Sequence, residues 1–223
     1  MRHLIVAILG LLVGTTLAGA ALYYNPFTTT TAEISSPSDR VLRYSLPNQV
    51  LTFALGEHAV FPGRFPAADK LWEETIDHTA VLGLVLDDES GPVAIASRLM
   101  AASPATDLLL RGVLVSDYWL VTYPDQGTLF VRSDSNVWPF LKETALPVWL
   151  LDRPWRGPVE YRPTVGPGAD HMALVVGVSG AFEGREGSAE ERYDVTKFDP
   201  AQASAAAGAE MSLYLSDTQL AQQ

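Results

Sequence analysis

Hydrophobic positions at the start of the chain follow one another with no polar face between them. Met1-Arg2-His3 precedes an uncharged run from Leu4 to Leu22, closed by Tyr23-Tyr24 and broken at Asn25-Pro26. As an α-helix, residues 4–24 rise about 30 Å, the thickness of a bilayer's hydrocarbon core. A soluble amphipathic helix would keep a polar stripe, so the run predicts a transmembrane helix. Two fates are open. Ala18-Gly19-Ala20 suits signal cleavage after Ala20. The length of the run, and tyrosines where an aromatic belt belongs, favour an uncleaved anchor. Arg2 and the amino terminus are the positive charges ahead of the span. They place the N-terminus in the cytoplasm and the domain outside, as a single-pass protein. Cleavage near Ala20 would instead secrete the domain to the same side.

Beyond residue 25 the pattern changes. Residues 25–49 are rich in Thr, Ser and Pro and read as a spacer. Short strand-like runs begin at 50–55 and 58–61. The best helix outside the membrane is 67–78, where Pro66 suits the first turn and Leu71, Trp72, Thr75 and Ile76 share a face. From residue 80 the order is strand, turn, strand. Runs 80–86 and 93–100 flank an Asp/Gly/Pro turn, and 108–115 follows. Runs 118–123 and 128–132 form a hairpin around Pro124-Asp125-Gln126-Gly127, a type I turn with a glycine bulge. Runs 147–151, 159–162, 172–178, 189–198 and 210–215 complete about ten strands. Parallel strands would need a crossover helix between most of them. The expected class is therefore mainly β, an antiparallel β-barrel with a β-sandwich as the alternative, carrying one short helix. The division is 1–24 anchor or signal, 25–49 spacer, 50–216 β-domain and 217–223 tail.

Composition narrows the function. Cysteine is absent, which removes disulfides, thiol catalysis and Cys-ligated metals. A net charge of −11 repels phosphate backbones and argues against nucleic acid as a partner. Lys70, Lys142 and Lys197 are the three lysines, too scattered for a polybasic lipid patch.

The stretch Gly177-Val178-Ser179-Gly180-Ala181-Phe182-Glu183-Gly184-Arg185-Glu186-Gly187 is the most distinctive outside the membrane run. Gly177, Gly180, Gly184 and Gly187 read as structural glycines that permit tight turns and close strand approach, with Phe182 covering the gap. The stretch resembles the glycine motif of allene oxide cyclase and dirigent-type β-barrels, roughly Gly-Gly-Thr-Gly-x-Phe/Tyr-x-Gly-x-x-Gly. Gly177, Gly180, Phe182, Gly184 and Gly187 match; Val178 and Ser179 depart from it. The resemblance covers about eleven residues and extends loosely to Leu215. It implies an eight-stranded barrel around an apolar cavity. Some members of those families cyclise a lipid epoxide, and others steer radical coupling. Their catalytic residues have no matching positions here.

Other motifs fail on context. Gly177-Val178-Ser179-Gly180 lacks the fifth-position glycine and the following helix of a nucleophile elbow, and the same missing helix rules out a dinucleotide loop. Glu73, Glu74, Asp77 and His78 are the best metal or acid–base candidates. His58 and His171 stand alone, so the expectation is a solvated acidic face and no metal or cofactor. Trp119, Tyr123, Phe130, Trp138, Phe140, Trp149 and Trp155 crowd the middle of the domain. Such residues form cores, and they also line cavities. Trp119, Tyr123 and Trp149 are the candidate ligand-binding residues, with Trp119, Val121 and Tyr123 facing inward beside an apolar pocket of at least about 300 Å³. Arg132, Arg153 and Arg156 either supply a cation for a carboxylate ligand or are surface charges.

The leading functional expectation is a membrane-tethered extracytoplasmic barrel. It would bind a small apolar ligand or serve as an accessory with an envelope protein partner. A cyclase or isomerase in the barrel cavity, and a protein–protein interaction domain, are the alternatives.

Overall fold

The computed structural model describes residues 2–25, 38–45, 79–151, 153–199 and 204–216. The expected strands at 50–55 and 58–61, the helix at 67–78 with Glu73, Glu74, Asp77 and His78, and His58 lie outside these residues. The apolar run forms α1 (Arg2–Tyr23), and its 20 residues from Leu4 to Tyr23 are long and apolar enough to cross a membrane. None of that span is buried against the rest of the protein.

Among the described residues ten strands follow: β1 (Arg40–Ser45), β2 (Thr79–Asp88), β3 (Gly91–Ala102), β4 (Leu114–Tyr123), β5 (Gly127–Asn136), β6 (Trp155–Tyr161), β7 (Thr164–Gly166), β8 (Ala173–Gly180), β9 (Glu186–Asp199) and β10 (Ser204–Leu215). Eight of them close a barrel in the order β1-β2-β3-β4-β5-β8-β9-β10, and β10 returns to β1. Every ladder is antiparallel, so the barrel expected from the sequence is the one formed. The closing ladder runs from Arg40↔Leu213 to Ser45↔Gly208. Closure leaves no unpaired edge around the wall. β6 pairs with the second half of β9, and β7 with the end of β5.

Alternation decides what faces inward. On β4, Asp117, Trp119, Val121 and Tyr123 are buried, while Leu120 between them is exposed. The set expected to point inward does so. The hairpin turn is also as expected: the Gln126 N–H bonds the Tyr123 carbonyl at 3.2 Å, and Gly127 takes a positive φ of 123°.

Three local expectations need correction. Arg40–Ser45, expected as spacer, is a barrel strand, because Leu42 and Tyr44 alternate inward between β10 and β2. Residues 108–112, read as strand, form a turn closed by the Asp107–Gly112 bridge. Residues 147–151, also read as strand, are helical. They end a segment made of Trp138–Phe140, a π turn at Leu141–Ala145 and a final turn at Leu146–Leu151. The π turn precedes Pro147, whose missing N–H and ring bulk prevent a regular α turn there. This segment covers one end of the barrel. Phe140 packs edge-on against Tyr161 and Phe198, and Thr144 meets the Tyr161 hydroxyl at 2.5 Å. Tight turns close the opposite end.

Candidate functional site

Three strands each place one charged residue on their inward face. Arg98 on β3 shares its face with Ala94, Ala96 and Met100. Asp117 on β4 sits beside Trp119, and Glu191 on β9 beside Tyr193. Arg98 and Asp117 are fully buried, and Glu191 is 2% exposed. The Arg98 Nε–H donates to Asp117 Oδ1 at 2.9 Å. Its two terminal nitrogens donate to Glu191, Nη1 to Oε1 at 3.3 Å and Nη2 to Oε2 at 3.2 Å. Nη2 also reaches the Tyr193 hydroxyl at 2.9 Å. The guanidinium is thus held by two carboxylates, the bidentate geometry that arginine suits.

A second ring of groups fixes the carboxylates. Ser135 Oγ donates to Asp117 Oδ2 at 2.7 Å. The Tyr44 hydroxyl donates to Glu191 Oε1, and the Tyr193 hydroxyl lies 3.3 Å from Glu191 Oε2. The Glu191 backbone N–H donates to Thr164 Oγ1 at 2.9 Å, tying β9 to β7. Every carboxylate oxygen in the cluster therefore has a donor.

Burial and charge act against each other here. Burial pulls the Arg98 pKa down, yet Asp117 and Glu191 outweigh it and hold the guanidinium firmly charged. Burial pushes the Glu191 carboxyl above its usual range; Arg98 opposes this and Asp117 adds to it. Tyr44 and Tyr193 are pushed well above the usual phenol range, first by burial, and both stay protonated donors. With burial only partly opposed by Arg98, Glu191 ionises less readily than a free glutamate.

Beside the cluster lies a pocket lined by Arg98, Asp117, Asn136, Phe140, Tyr161 and Tyr193, among others. It leaves about 30 Å³ for the centres of water-sized molecules, room for about two waters. An apolar pocket of at least about 300 Å³ beside Trp119 was expected. The pocket beside the cluster is smaller than that, with Trp119, Arg98 and the tyrosines filling the space around it.

The candidate ligand residues are not brought together. Trp119 is fully buried at mid-barrel, edge-on to Tyr44 at 5.5 Å. Tyr123 is buried at the turn end, 5.2 Å from Phe182, with the Arg40 guanidinium 5.0 Å from its ring centre. Trp149 lies on the turn Leu146–Leu151 at the other end, and its side chain is outside the described residues. Arg132, Arg153 and Arg156 are exposed. Among the described residues the buried arginine is Arg98, distant in sequence from the aromatic stretch. The opposite charges meet only through the register of three strands, which the sequence of no one strand carries.

The glycine stretch forms the β8–β9 hairpin. Gly180 and Gly184 take positive φ of 68° and 74°. A Cβ on Gly177 would collide with the Phe182 carbonyl, and one on Gly187 with the Tyr214 carbonyl. Phe182 is buried over this crossing. Asp170 and His171 lie in the short turn before β8.

The barrel's outer wall is divided. On β1, β9 and β10 it is ionic: Glu210 bonds Arg43 at 2.8 Å and Arg192 at 2.6 Å, and Arg192 lies 3.6 Å from Asp194. On β2 to β5 and β8 it is mostly apolar, with exposed polar exceptions such as Ser97 on β3 and Arg132 on β5. Val81, Val85, Ile95, Leu99, Leu120, Val176 and Val178 are all exposed there. The ladders make these residues neighbours, with Val81↔Leu99, Val85↔Ile95, Ser97↔Leu120, Leu120↔Phe130 and Phe130↔Val176 opposite one another.

No protein-family model matches this chain, and no curated protein matches it.

Proposed function

We propose that the protein is a membrane-tethered, extracytoplasmic accessory barrel that binds an envelope protein partner through the apolar side of its wall. The division of the outer wall is the observation that carries this reading. Apolar patches larger than a few hundred Å² are uncommon on monomers and mark contact surfaces. Here the patch spans five adjacent strands, while the opposite side is laced with ion pairs. The strands are already paired on both sides, so a partner would be held by side-chain packing and not by strand addition. Tethering by α1 would confine both proteins to one surface and raise their effective concentration.

A small apolar ligand inside the barrel gains little support from a pocket with room for about two waters. The cyclase or isomerase alternative gains none from Asp117 and Glu191, whose oxygens are all held by neighbouring donors. The likeness to allene oxide cyclase and dirigent-type barrels belongs to this proposal as a statement about the hairpin and brings no activity with it.

A photo-crosslinking residue placed at Leu120 in the full chain, in living cells, tests the reading. The expected result is one discrete adduct larger than the chain. It should be absent when the probe is moved to Thr196 on the ionic side, and lost with Ile95→Glu. An adduct at twice the mass of the chain would replace the partner with a second copy. Equal crosslinking from both sides, or none, would refute the reading.

A further inference from the structure

The end of the barrel covered by the helical segment carries a second group of exposed leucines. In the turn between β3 and β4, Leu108, Leu109 and Leu110 are 43%, 63% and 65% exposed. Their backbone is not loose. The Asp107 N–H bonds the Gly112 carbonyl at 3.1 Å, and Asp107 Oδ1 accepts the N–H groups of Leu109 and Leu110 at 2.9 and 3.2 Å. The turn therefore presents three leucines outward on a closed loop. On the same end, Leu150 and Leu151 are 64% and 67% exposed.

What covers these side chains follows from where α1 ends. The Asn25 side-chain amide donates to the Leu109 carbonyl, one residue past the paired tyrosines. The Lys142 ammonium lies 5.7 Å from the centre of the Tyr23 ring. The carboxyl end of the apolar helix is thus held on the leucine turn and on the helical segment. Tyrosines at a helix end belong at the level of the lipid headgroups. Leucines beside them at that level meet the acyl boundary, where burying apolar area is favourable. The charges fit too. Arg111 follows the leucine turn, Arg153 lies two residues past Leu151 with Asp152 between them in the sequence, both arginines are exposed, and Lys142 is at Tyr23. Among the described acidic groups here, Asp107 is engaged by its own turn and Glu143 lies 3.7 Å from Lys142.

We propose that Leu108, Leu109 and Leu110, with Leu150 and Leu151, form a second membrane contact that seats this end of the barrel on the bilayer beside α1. The proposal rests on α1 being a retained membrane helix. Seated in this way, the barrel has its axis fixed relative to the membrane and its tight turns pointing away. The apolar side of the wall then stands upright, facing along the membrane surface.

The native chain has no cysteine, so single cysteines can report depth. The full chain is reconstituted in vesicles of phosphatidylcholine and phosphatidylglycerol at about 3:1, enough anionic lipid to meet the arginines. Leu109→Cys, Leu150→Cys, Leu11→Cys and Asp125→Cys are each labelled with an environment-sensitive fluorophore. Quenching by lipids with a nitroxide near the headgroup or deep in the acyl chain is then read. Leu109→Cys and Leu150→Cys should shift to the blue and lose emission to the shallow quencher, and Leu11→Cys to the deep one. Asp125→Cys, in a turn at the far end, should do neither. If Leu11→Cys is quenched while both leucine-turn sites behave like Asp125→Cys, this proposal fails and the anchor stands. If Leu11→Cys is not quenched, the anchor reading fails and this proposal with it. Leu110→Cys and Leu151→Cys serve as replacements if either first variant loses its folded circular-dichroism signal.

Discussion

Arg98 and Trp119 sit directly opposite each other on β3 and β4, and the guanidinium carbon lies 4.4 Å from the centre of the indole ring. The ring covers one face of a cation whose edge is taken by Asp117 and Glu191. Cation–π attraction is strongest for desolvated pairs of this kind. This contact joins the apolar filling of the barrel to its ionic centre.

Removing the cation should therefore be costly. Arg98→Met leaves two buried carboxylates facing each other, and loss of one partner from such a group costs about 3–5 kcal/mol. Denaturant melts of the full chain in detergent would show it. Arg98→Lys should recover little, since one ammonium lacks the fork that reaches Asp117 and Glu191 together. Near-native stability in Arg98→Met would mean that the cluster does not hold the barrel.

The cluster also predicts a pH effect with a definite sign. Folding raises the Glu191 pKa above its ordinary value of 4.5, so the folded chain holds that proton more tightly. The stability this contributes is complete below the ordinary range and is lost as pH rises through the raised value. Glu191→Gln removes the titration and leaves one carboxylate for one guanidinium. The stability of the variant relative to the native chain should grow as pH is raised through that window. A difference that is flat or shrinks with pH would show that Glu191 is not the group that titrates.

Much of the barrel was legible because alternation is a local signal. The 118–123 and 128–132 runs pair as a hairpin with the expected facing on β4 and the expected turn, while the β4–β5 ladder runs without a register shift. Arg40–Ser45 was hidden in a Thr/Ser/Pro-rich neighbourhood, and its inward residues Leu42 and Tyr44 gain meaning only once β10 pairs with it. The helix at 138–151 was hidden by Pro147, which breaks the expected pattern while the chain absorbs it as a π turn. Of the site, the aromatics were visible and the ionic cluster was not. Arg98, Asp117 and Glu191 are far apart in sequence, and each alone looks like a surface charge. Their meeting depends on the register between strands, which no single segment encodes.

The hairpin glycines differ in what a side chain would cost. Gly177→Ala would drive a Cβ into the Phe182 carbonyl, so a loss of about 2 kcal/mol or more is expected. Gly184 has open space but a φ of 74°, so alanine there should cost about 1 kcal/mol through the backbone alone. Gly83, on β2, has neither constraint, and Gly83→Ala should stay within about 0.5 kcal/mol. Thermal melts of the three variants should fall in that order. A neutral Gly177→Ala would contradict the close crossing of the hairpin.

Topology is the claim on which the functional account stands, and one labelling experiment reaches it. Asp125→Cys places a single thiol in an exposed turn at the end of the barrel opposite the Leu109 contact of Asn25, in a chain with no other cysteine. Intact spheroplasts of a bacterial host expressing it are treated with a membrane-impermeant maleimide, and the labelled chain is recovered from the membrane fraction and weighed. The account predicts full labelling without lysis, on a chain that still carries residues 4–24. Labelling that requires lysis would put the barrel in the cytoplasm, and a labelled chain beginning at Ala21 would show that no tether remains.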